Sequence, residues 1–119
     1  MQNAELVICF GGDGTILHMA KAATRKNIPI LGVNIGTMGF MAELEGTELD
    51  QLARLANDDY TLDKRMMLDV VVQRDRDIIF HDIGLNDMVV TKGAIARIAH
   101  VAVKCDGVEV MECGGDGVI

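Results

Sequence analysis

Cysteine is scarce, tryptophan is absent and no long apolar run occurs in this chain of 119 residues. Cys9, Cys105 and Cys113 are an odd count without a C-x-x-C pair, which favours reduced thiols over a disulfide framework. The three His show no ligand spacing with them, so we expect no zinc site. No run approaches the roughly 18 apolar residues of a membrane span, and no basic region precedes an apolar signal core. We therefore expect a cytoplasmic chain with no membrane partner.

Basic charge is also in short supply. The formal net charge is −7 and the pI is near 4.7, which argues against a general nucleic-acid or anionic-membrane binder. Half of the residues are apolar, so the chain can bury a core and is globular. Eight Met against one Tyr and no Trp predict a Met-rich core, and Cys9, inside an apolar run, is predicted to be buried.

The chain is organised around a glycine-rich turn, Gly11-Gly12-Asp13-Gly14-Thr15, which follows an apolar run and opens a helical pattern. Glycine permits close approach to the backbone, and free N–H groups at a helix start favour phosphate. An Asp there would repel phosphate, so Asp13 is better suited to accept a proton from a hydroxyl nucleophile or to help hold a divalent ion. The alternative is a tight loop with Asp13 as N-cap. The letters fit neither a Walker loop nor the dinucleotide G-x-G-x-x-G fingerprint.

Residues 5–34 carry the pattern strand, helix, strand. Apolar runs at 5–10 and 30–33 are typical of buried strands, and 15–27 has helical periodicity with basic residues towards its end. This predicts a crossover with two parallel strands. Ligands of such sheets bind at the carboxyl ends of the strands, where Asp13 and residues 34–40 both fall.

The remainder of the chain changes character near residue 60. Residues 47–57 predict a surface helix, whereas strand-like runs follow at 67–74, 78–84, 88–91, 98–105 and 108–113. Asp106-Gly107 has the residues that a two-residue hairpin prefers. We therefore predict an α/β domain over 1–60 and the start of an all-β domain over 61–119.

Four stretches together resemble the ATP-dependent NAD kinase family. The GGDGT turn alone is shared with diacylglycerol and sphingosine kinases and, more loosely, with phosphofructokinases. Three further stretches in order narrow the resemblance: Gly-Val-Asn-Ile-Gly-Thr-Met-Gly-Phe at 32–40, Leu-Asn-Asp-Met-Val-Val at 85–90 and Gly-Asp-Gly-Val-Ile at 115–119. The resemblance implies a Rossmann-like parallel βαβ unit followed by an all-β, sandwich-like unit. Because the family's chain is longer at both ends, we expect this chain to be a central fragment.

The resemblance also implies roles for individual residues. Asp13 matches the family's catalytic base, which takes the proton of the adenosine ribose 2′-hydroxyl of NAD as it attacks the γ-phosphate of ATP. It implies a divalent cation, Mg most readily, and a homo-oligomer, either dimer or tetramer, because Asp116 matches an acid that reaches the dinucleotide across subunits. The residues implied to bind the nucleotide are Asp13, Gly14, His18, Phe40, Asn86, Asp87, Arg97 and Asp116; none is implied as a protein ligand of the metal.

Simpler interpretations stand beside these roles. His18 and Arg97 could be solvent-facing residues, Phe40 could belong to the core, and Asn86 could form an Asx turn. The family often has Arg two positions before the acid at 116, where this chain has Gly114. A Ser/Thr-rich segment that completes the family's NAD pocket has no counterpart here. A non-catalytic dinucleotide-binding fragment and a lipid kinase sharing the GGDGT turn are therefore the alternative hypotheses.

Overall fold

A computed structural model describes residues 3–36, 39–93 and 97–119. The chain divides into two compact units, residues 1–86 and 87–119, called here the first and second units. The described part of the chain contains no helix long and apolar enough to cross a membrane. The domain boundary near residue 60 was predicted from a change of sequence pattern, whereas these units are defined by contacts in space. The predicted boundary therefore stays a prediction.

The first unit is built on a parallel sheet crossed by one helix. Strands β1 (Val7–Phe10) and β2 (Ile30–Asn34) pair in parallel, and helix α1 (Asp13–Thr24) connects them. This confirms the predicted strand-helix-strand order. A further short strand, β3 (Leu44–Glu45), pairs in parallel with the end of β2, so the sheet has the order β1-β2-β3 rather than the two strands expected from the sequence.

The core lies between the sheet and α1. Ile16, Ala20 and Ala23 recur at intervals of four and three residues, which places them on one face of the helix. They are buried together with Cys9 of β1 and Val33 of β2, which confirms the prediction for Cys9. Small alanines allow the helix to approach the sheet closely. No Met belongs to the buried core of the described residues, so the expectation of a Met-rich core is wrong there.

Helix α1 begins and ends earlier than the pattern over 15–27 suggests. Gly12 is the N-cap residue, and Asp13 is the first helical residue. The helix ends at Thr24, after which Asn27 has a left-handed backbone with φ of 53°. The N–H of Ile28 donates to the carbonyl of Ala23 at 3.1 Å, which closes the last turn.

The rest of the first unit is a 3₁₀ helix and a hairpin. The segment predicted as a surface helix forms the 3₁₀ helix over Leu49–Asn57. Strands β4 (Leu68–Arg74) and β5 (Asp77–Gly84) form an antiparallel hairpin. Lys21 of α1 forms an ion pair with Asp82 of β5, which joins the hairpin to the helix.

The second unit consists of paired strands. Strands β7 (Ala99–Cys105) and β8 (Val108–Gly115) form an antiparallel hairpin, and the two-residue strands β6 (Val90–Thr91) and β9 (Gly117–Val118) pair with each other. Asp106 and Gly107 both have positive φ, 50° and 83°, as a type I′ turn requires. This confirms the predicted hairpin turn.

Candidate active site

The Asp13 side chain is fixed by backbone groups of a distant segment. Its Oδ1 accepts hydrogen bonds from the N–H groups of Phe40 at 3.1 Å and Met41 at 3.0 Å, and its Oδ2 lies 3.1 Å from the same Phe40 nitrogen. These donors belong to the connection between β2 and β3. The side chain does not cap α1, because Gly12 is the N-cap residue and no side-chain cap bond is formed. The N-cap interpretation of Asp13 is therefore wrong.

The glycines around Asp13 determine how closely the backbone approaches its carboxylate. A Cβ placed on Gly39 would lie 2.6 Å from Oδ1 of Asp13, so only glycine allows the connection to come this close. A Cβ placed on Gly12 or Gly14 would meet no atom within 4 Å. The backbone is therefore crowded on the side of Gly39 and open on the side of the helix start.

Three further candidate residues lie in the first unit near this helix start or in the connection. Gly14 and His18 are both exposed and, being four residues apart, lie on the same side of α1. The Phe40 side chain is 90 % exposed, although its N–H is bonded to Asp13. This exposure excludes the core interpretation of Phe40 and leaves its ring available to a ligand.

The remaining candidates divide between the two units. Asn86 is the last residue of the first unit, and Asp87 is the first of the second. Both are exposed, as is Arg97. Asp116 is also exposed; its Oδ1 lies 2.6 Å from Nζ of Lys92, and its carbonyl accepts the N–H of Lys92 at 2.8 Å. Of the predicted site residues, the structure brings Asp13 and Phe40 together, along with Gly39 and Met41. Asp87, Arg97 and Asp116 belong to the second unit.

Two groups in contact with the sheet or with α1, Cys9 and Asp82, have shifted pKa values. Burial raises the pKa of the Cys9 thiol, and the nearby Glu43 carboxylate raises it further, so Cys9 is an inert core residue. The hydrogen bond from Lys21 lowers the pKa of Asp82, and the N–H of Ile83 lowers it as well. Asp82 is therefore held as a carboxylate against α1.

No group of three or more His, Cys, Asp or Glu side chains with metal-binding geometry occurs in residues 3–36, 39–93 and 97–119. Within the glycine turn, residues 11–15, Asp13 is the one carboxylate.

The sequence predicted that residues 34–40 lie at the same edge of the sheet as Asp13 and named Phe40 for its ring, but it did not predict that the N–H groups of Phe40 and Met41 hold the carboxylate. The donors are backbone N–H groups, which carry no side-chain signature at positions 40 and 41. Gly39 did leave a signal, because its glycine stands one residue before Phe40 in the stretch 32–40 and marks a close approach.

Comparisons with known proteins identify the family of the chain. The family model described as the ATP-NAD kinase N-terminal domain matches residues 1–60. Since this is half of the chain, the chain belongs to the ATP-NAD kinase family. An NAD kinase of Acetivibrio thermocellus is 42% identical over 117 residues, and one of Natranaerobius thermophilus is 44% identical over 117 residues.

The matches cover almost the whole chain but only part of each relative. The two alignments include 98% of this chain and 40% and 41% of the respective relatives, so the chain spans about two fifths of their length. The solved structure of yeast NADH kinase complexed with NADH covers 97% of the chain at a TM-score of 0.82 and 22% identity. It covers 35% of that structure's chain, and this likeness confirms the α/β fold.

Proposed function

We propose that this chain carries the phosphoryl-acceptor site of an NAD kinase. The reaction transfers the γ-phosphoryl group of ATP to the 2′-hydroxyl of the adenosine ribose of NAD and yields NADP and ADP. The proposal draws on the family of residues 1–60, the names of relatives that span the chain, and the geometry of Asp13.

The observation that carries the proposal is the fixed Asp13 carboxylate between Gly12 and Gly14, where a Cβ would meet no atom within 4 Å. Two N–H groups converge on Oδ1, whereas Oδ2 has one contact, the shared Phe40 N–H, among the described residues. One oxygen is thus anchored and the other keeps lone pairs for a hydroxyl. A carboxylate held in one orientation is suited to general base catalysis, because proton transfer requires defined geometry.

The chemistry follows from that arrangement. The ribose hydroxyl donates its proton to Oδ2 of Asp13 while its oxygen forms a bond to the γ-phosphorus. The bond between that phosphorus and the β,γ-bridging oxygen breaks, and ADP leaves with the electron pair. Phosphoryl transfer depends on positioning and charge stabilisation, and general base assistance adds roughly 10²–10⁴-fold.

The other candidate residues position the dinucleotide in this proposal. Gly14 leaves the backbone open to the nucleotide, and the exposed ring of Phe40 offers a surface for the adenine. Asn86 and Asp87 hold the ribose, since an amide beside a carboxylate supplies donors and acceptors together. His18, Arg97 and Asp116 contact the remainder of the dinucleotide.

The cation, the assembly and the location complete the proposal. Mg enters with ATP as part of the substrate, where it offsets the charge of the phosphates. We further propose that the protein is a homo-oligomer, either a dimer or a tetramer, and that it produces NADP in the cytoplasm.

Formation of NADP tests the function. The chain, and any longer protein that contains it, is incubated with NAD, ATP and Mg, and NADP is read by an NADP-specific dehydrogenase. We expect activity that falls roughly 10²–10⁴-fold in Asp13→Asn, because the amide oxygen still accepts from Phe40 and Met41 but the base is lost. Asp50→Asn is the matched control, because Asp50 is the acid in the first turn of the 3₁₀ helix.

The same assay separates the alternatives. Phosphorylation of diacylglycerol in place of NAD would favour a lipid kinase. NAD binding without turnover in every form of the protein would favour a dinucleotide-binding chain. Equal loss in Asp13→Asn and Asp50→Asn would contradict the assignment of the base.

A further inference from the structure

Asn34 is the one polar residue in the buried class among the described residues, with 3 % of its surface exposed. It is the last residue of β2, where the connection to β3 begins. Its amide nitrogen donates to Glu45, 3.0 Å from Oε2 and 3.4 Å from Oε1, and its Oδ1 accepts from the N–H of Gly36 at 3.2 Å. A buried amide whose oxygen and nitrogen are both bonded is fixed in position.

The two partners of the Asn34 side chain lie at opposite ends of the connection. Gly36 lies just after β2, and Glu45 belongs to β3, where it is the register partner of Asn34. A second tie lies close by. The N–H of Gly32 donates to Oε2 of Glu43 at 2.9 Å, and the N–H of Glu43 donates to the carbonyl of Gly32 at 3.1 Å.

The N–H groups that hold Asp13 lie between these tethers. Phe40 and Met41 shortly precede Glu43 and Glu45, so the tie at Glu43 and the bond from Asn34 to Glu45 restrain the chain just after both donors. The partners of the Asn34 side chain are Glu45 and Gly36, not Asp13. Asn34 can therefore affect the carboxylate only indirectly, through Glu45 and the backbone that leads from it to Met41 and Phe40.

We propose that Asn34 is a positioning residue of the phosphoryl-transfer site, which acts through Glu45 to align the backbone donors that orient Asp13. This inference rests on the proposed function for its effect on turnover. Its structural part, the alignment of the Phe40 and Met41 N–H groups, can be measured without turnover.

A charge-conserving exchange tests the proposal. Asn34→Asp keeps an acceptor for Gly36 but sets two carboxylates against each other, since Glu45 loses its donor. Glu45→Gln alone keeps an acceptor for Asn34 and serves as the matched single control. The double variant N34D/E45Q restores a donor and acceptor pair with the direction reversed, because the amide at 45 now donates to the carboxylate at 34.

Two readouts are combined. The first is kcat and KM for NAD per folded molecule; misplacement of a catalytic group by about 1 Å can cost 10²-fold. We expect kcat to fall at least tenfold in N34D with KM for NAD within threefold, and to return to within threefold of the parent in N34D/E45Q. The second readout is the amide proton shifts of Phe40 and Met41, which should move in N34D and return in the double variant.

Leu52→Ala in the 3₁₀ helix controls for a merely structural effect. It shortens a partly buried side chain in an element outside the connection, and it should lower the melting temperature without lowering kcat. Unchanged amide shifts in a folded N34D would overturn the inference, as would a kcat loss that the double variant does not restore. If the parent forms no NADP while the amide shifts move and return as described, the proposed function fails and the alignment by Asn34 stands.

Discussion

The two units of the chain differ most in what they bury. Among the described residues, every side chain in the buried class lies between positions 9 and 34, in the strand-helix-strand part of the first unit. The second unit has none, and in its hairpin Val108 and Val110 are 69% and 65% exposed. A helix laid on a parallel sheet covers apolar surface that a two-stranded hairpin cannot cover by itself.

This difference in burial matters for the proposed catalytic role of Asp13. Asp13 begins the helix that packs on the buried core, and its donors come from a connection tied to the same sheet. The recognition residues proposed for the second unit, Asp87, Arg97 and Asp116, are exposed and lie outside its strands. Catalytic groups need a rigid support, because small displacements weaken proton transfer.

The largest effect in this comparison is expected at Gly39. In Gly39→Ala the new methyl group would meet Oδ1 of Asp13 and displace the carboxylate, because the carboxylate is the movable partner. We predict a loss of roughly 10²-fold in kcat for NADP formation, with little change in melting temperature. Gly93→Ala in the second unit is the control, since a Cβ there meets no described atom within 4 Å. Equal activity of the two variants would show that the approach of the connection to Asp13 is unimportant.

A smaller effect is expected from shortening one valine in each unit, a buried one in the first and an exposed one in the second. Val33 of β2 is fully buried, so Val33→Ala should lower the free energy of unfolding by about 2 kcal/mol through lost burial and a residual cavity. Val110→Ala in the second unit should change it by no more than about 0.5 kcal/mol. Urea unfolding of both variants measures the two values. A cost at Val110 as large as that at Val33 would contradict the contrast between the units.

The smallest effect concerns pH and the hairpin β4–β5. The pKa of Asp82 in the folded state is lowered by Lys21 and by the Ile83 N–H. The ion pair therefore stabilises the fold fully at pH values above the pKa of the unfolded chain, which is near 3.8. That stability is lost as pH falls through the lower folded pKa. Asp82→Asn should therefore flatten the decline of the melting temperature between about pH 5 and pH 2.

Asp75→Asn is the control for this pH series. Asp75 lies in the turn between β4 and β5 with φ of 57°, a conformation that Asn tolerates well. It removes a carboxylate from the same hairpin without touching Lys21. If both variants flattened the pH dependence equally, the ion pair would not be its source.

Periodicity and turn chemistry predicted most of the fold. The apolar runs of β1 and β2, the pattern of α1 and the Asp106-Gly107 turn are local signals, and each corresponds to an element in the structure. Strand β3 was not predicted, because its two residues form a strand only through pairing with Val33 and Asn34 of another segment. The early end of α1 escaped because Asn27 takes a left-handed conformation inside a run that reads as helical.

The site was predictable to a different degree. The glycine turn and its acid drew attention to Asp13 because residue types alone indicate a carboxylate at a helix start. The donors to that carboxylate could not be predicted, since any residue can supply a backbone N–H. Asn34 lies in the stretch 32–40 that carries the resemblance, but the sequence predicted no role for it, because that role depends on burial and on its partner Glu45 in the neighbouring strand.

The most direct test of the central claim compares Asp13→Asn with Asp13→Ala at saturating NAD, ATP and Mg. Asn retains an oxygen that can accept from Phe40 and Met41, whereas Ala removes both the acceptor and the base. If Asp13 is the base, turnover falls by roughly 10²–10⁴-fold in both variants. Near-parental turnover in Asp13→Asn, with loss only in Asp13→Ala, would mean that the side chain serves to hold the connection and that the base lies elsewhere.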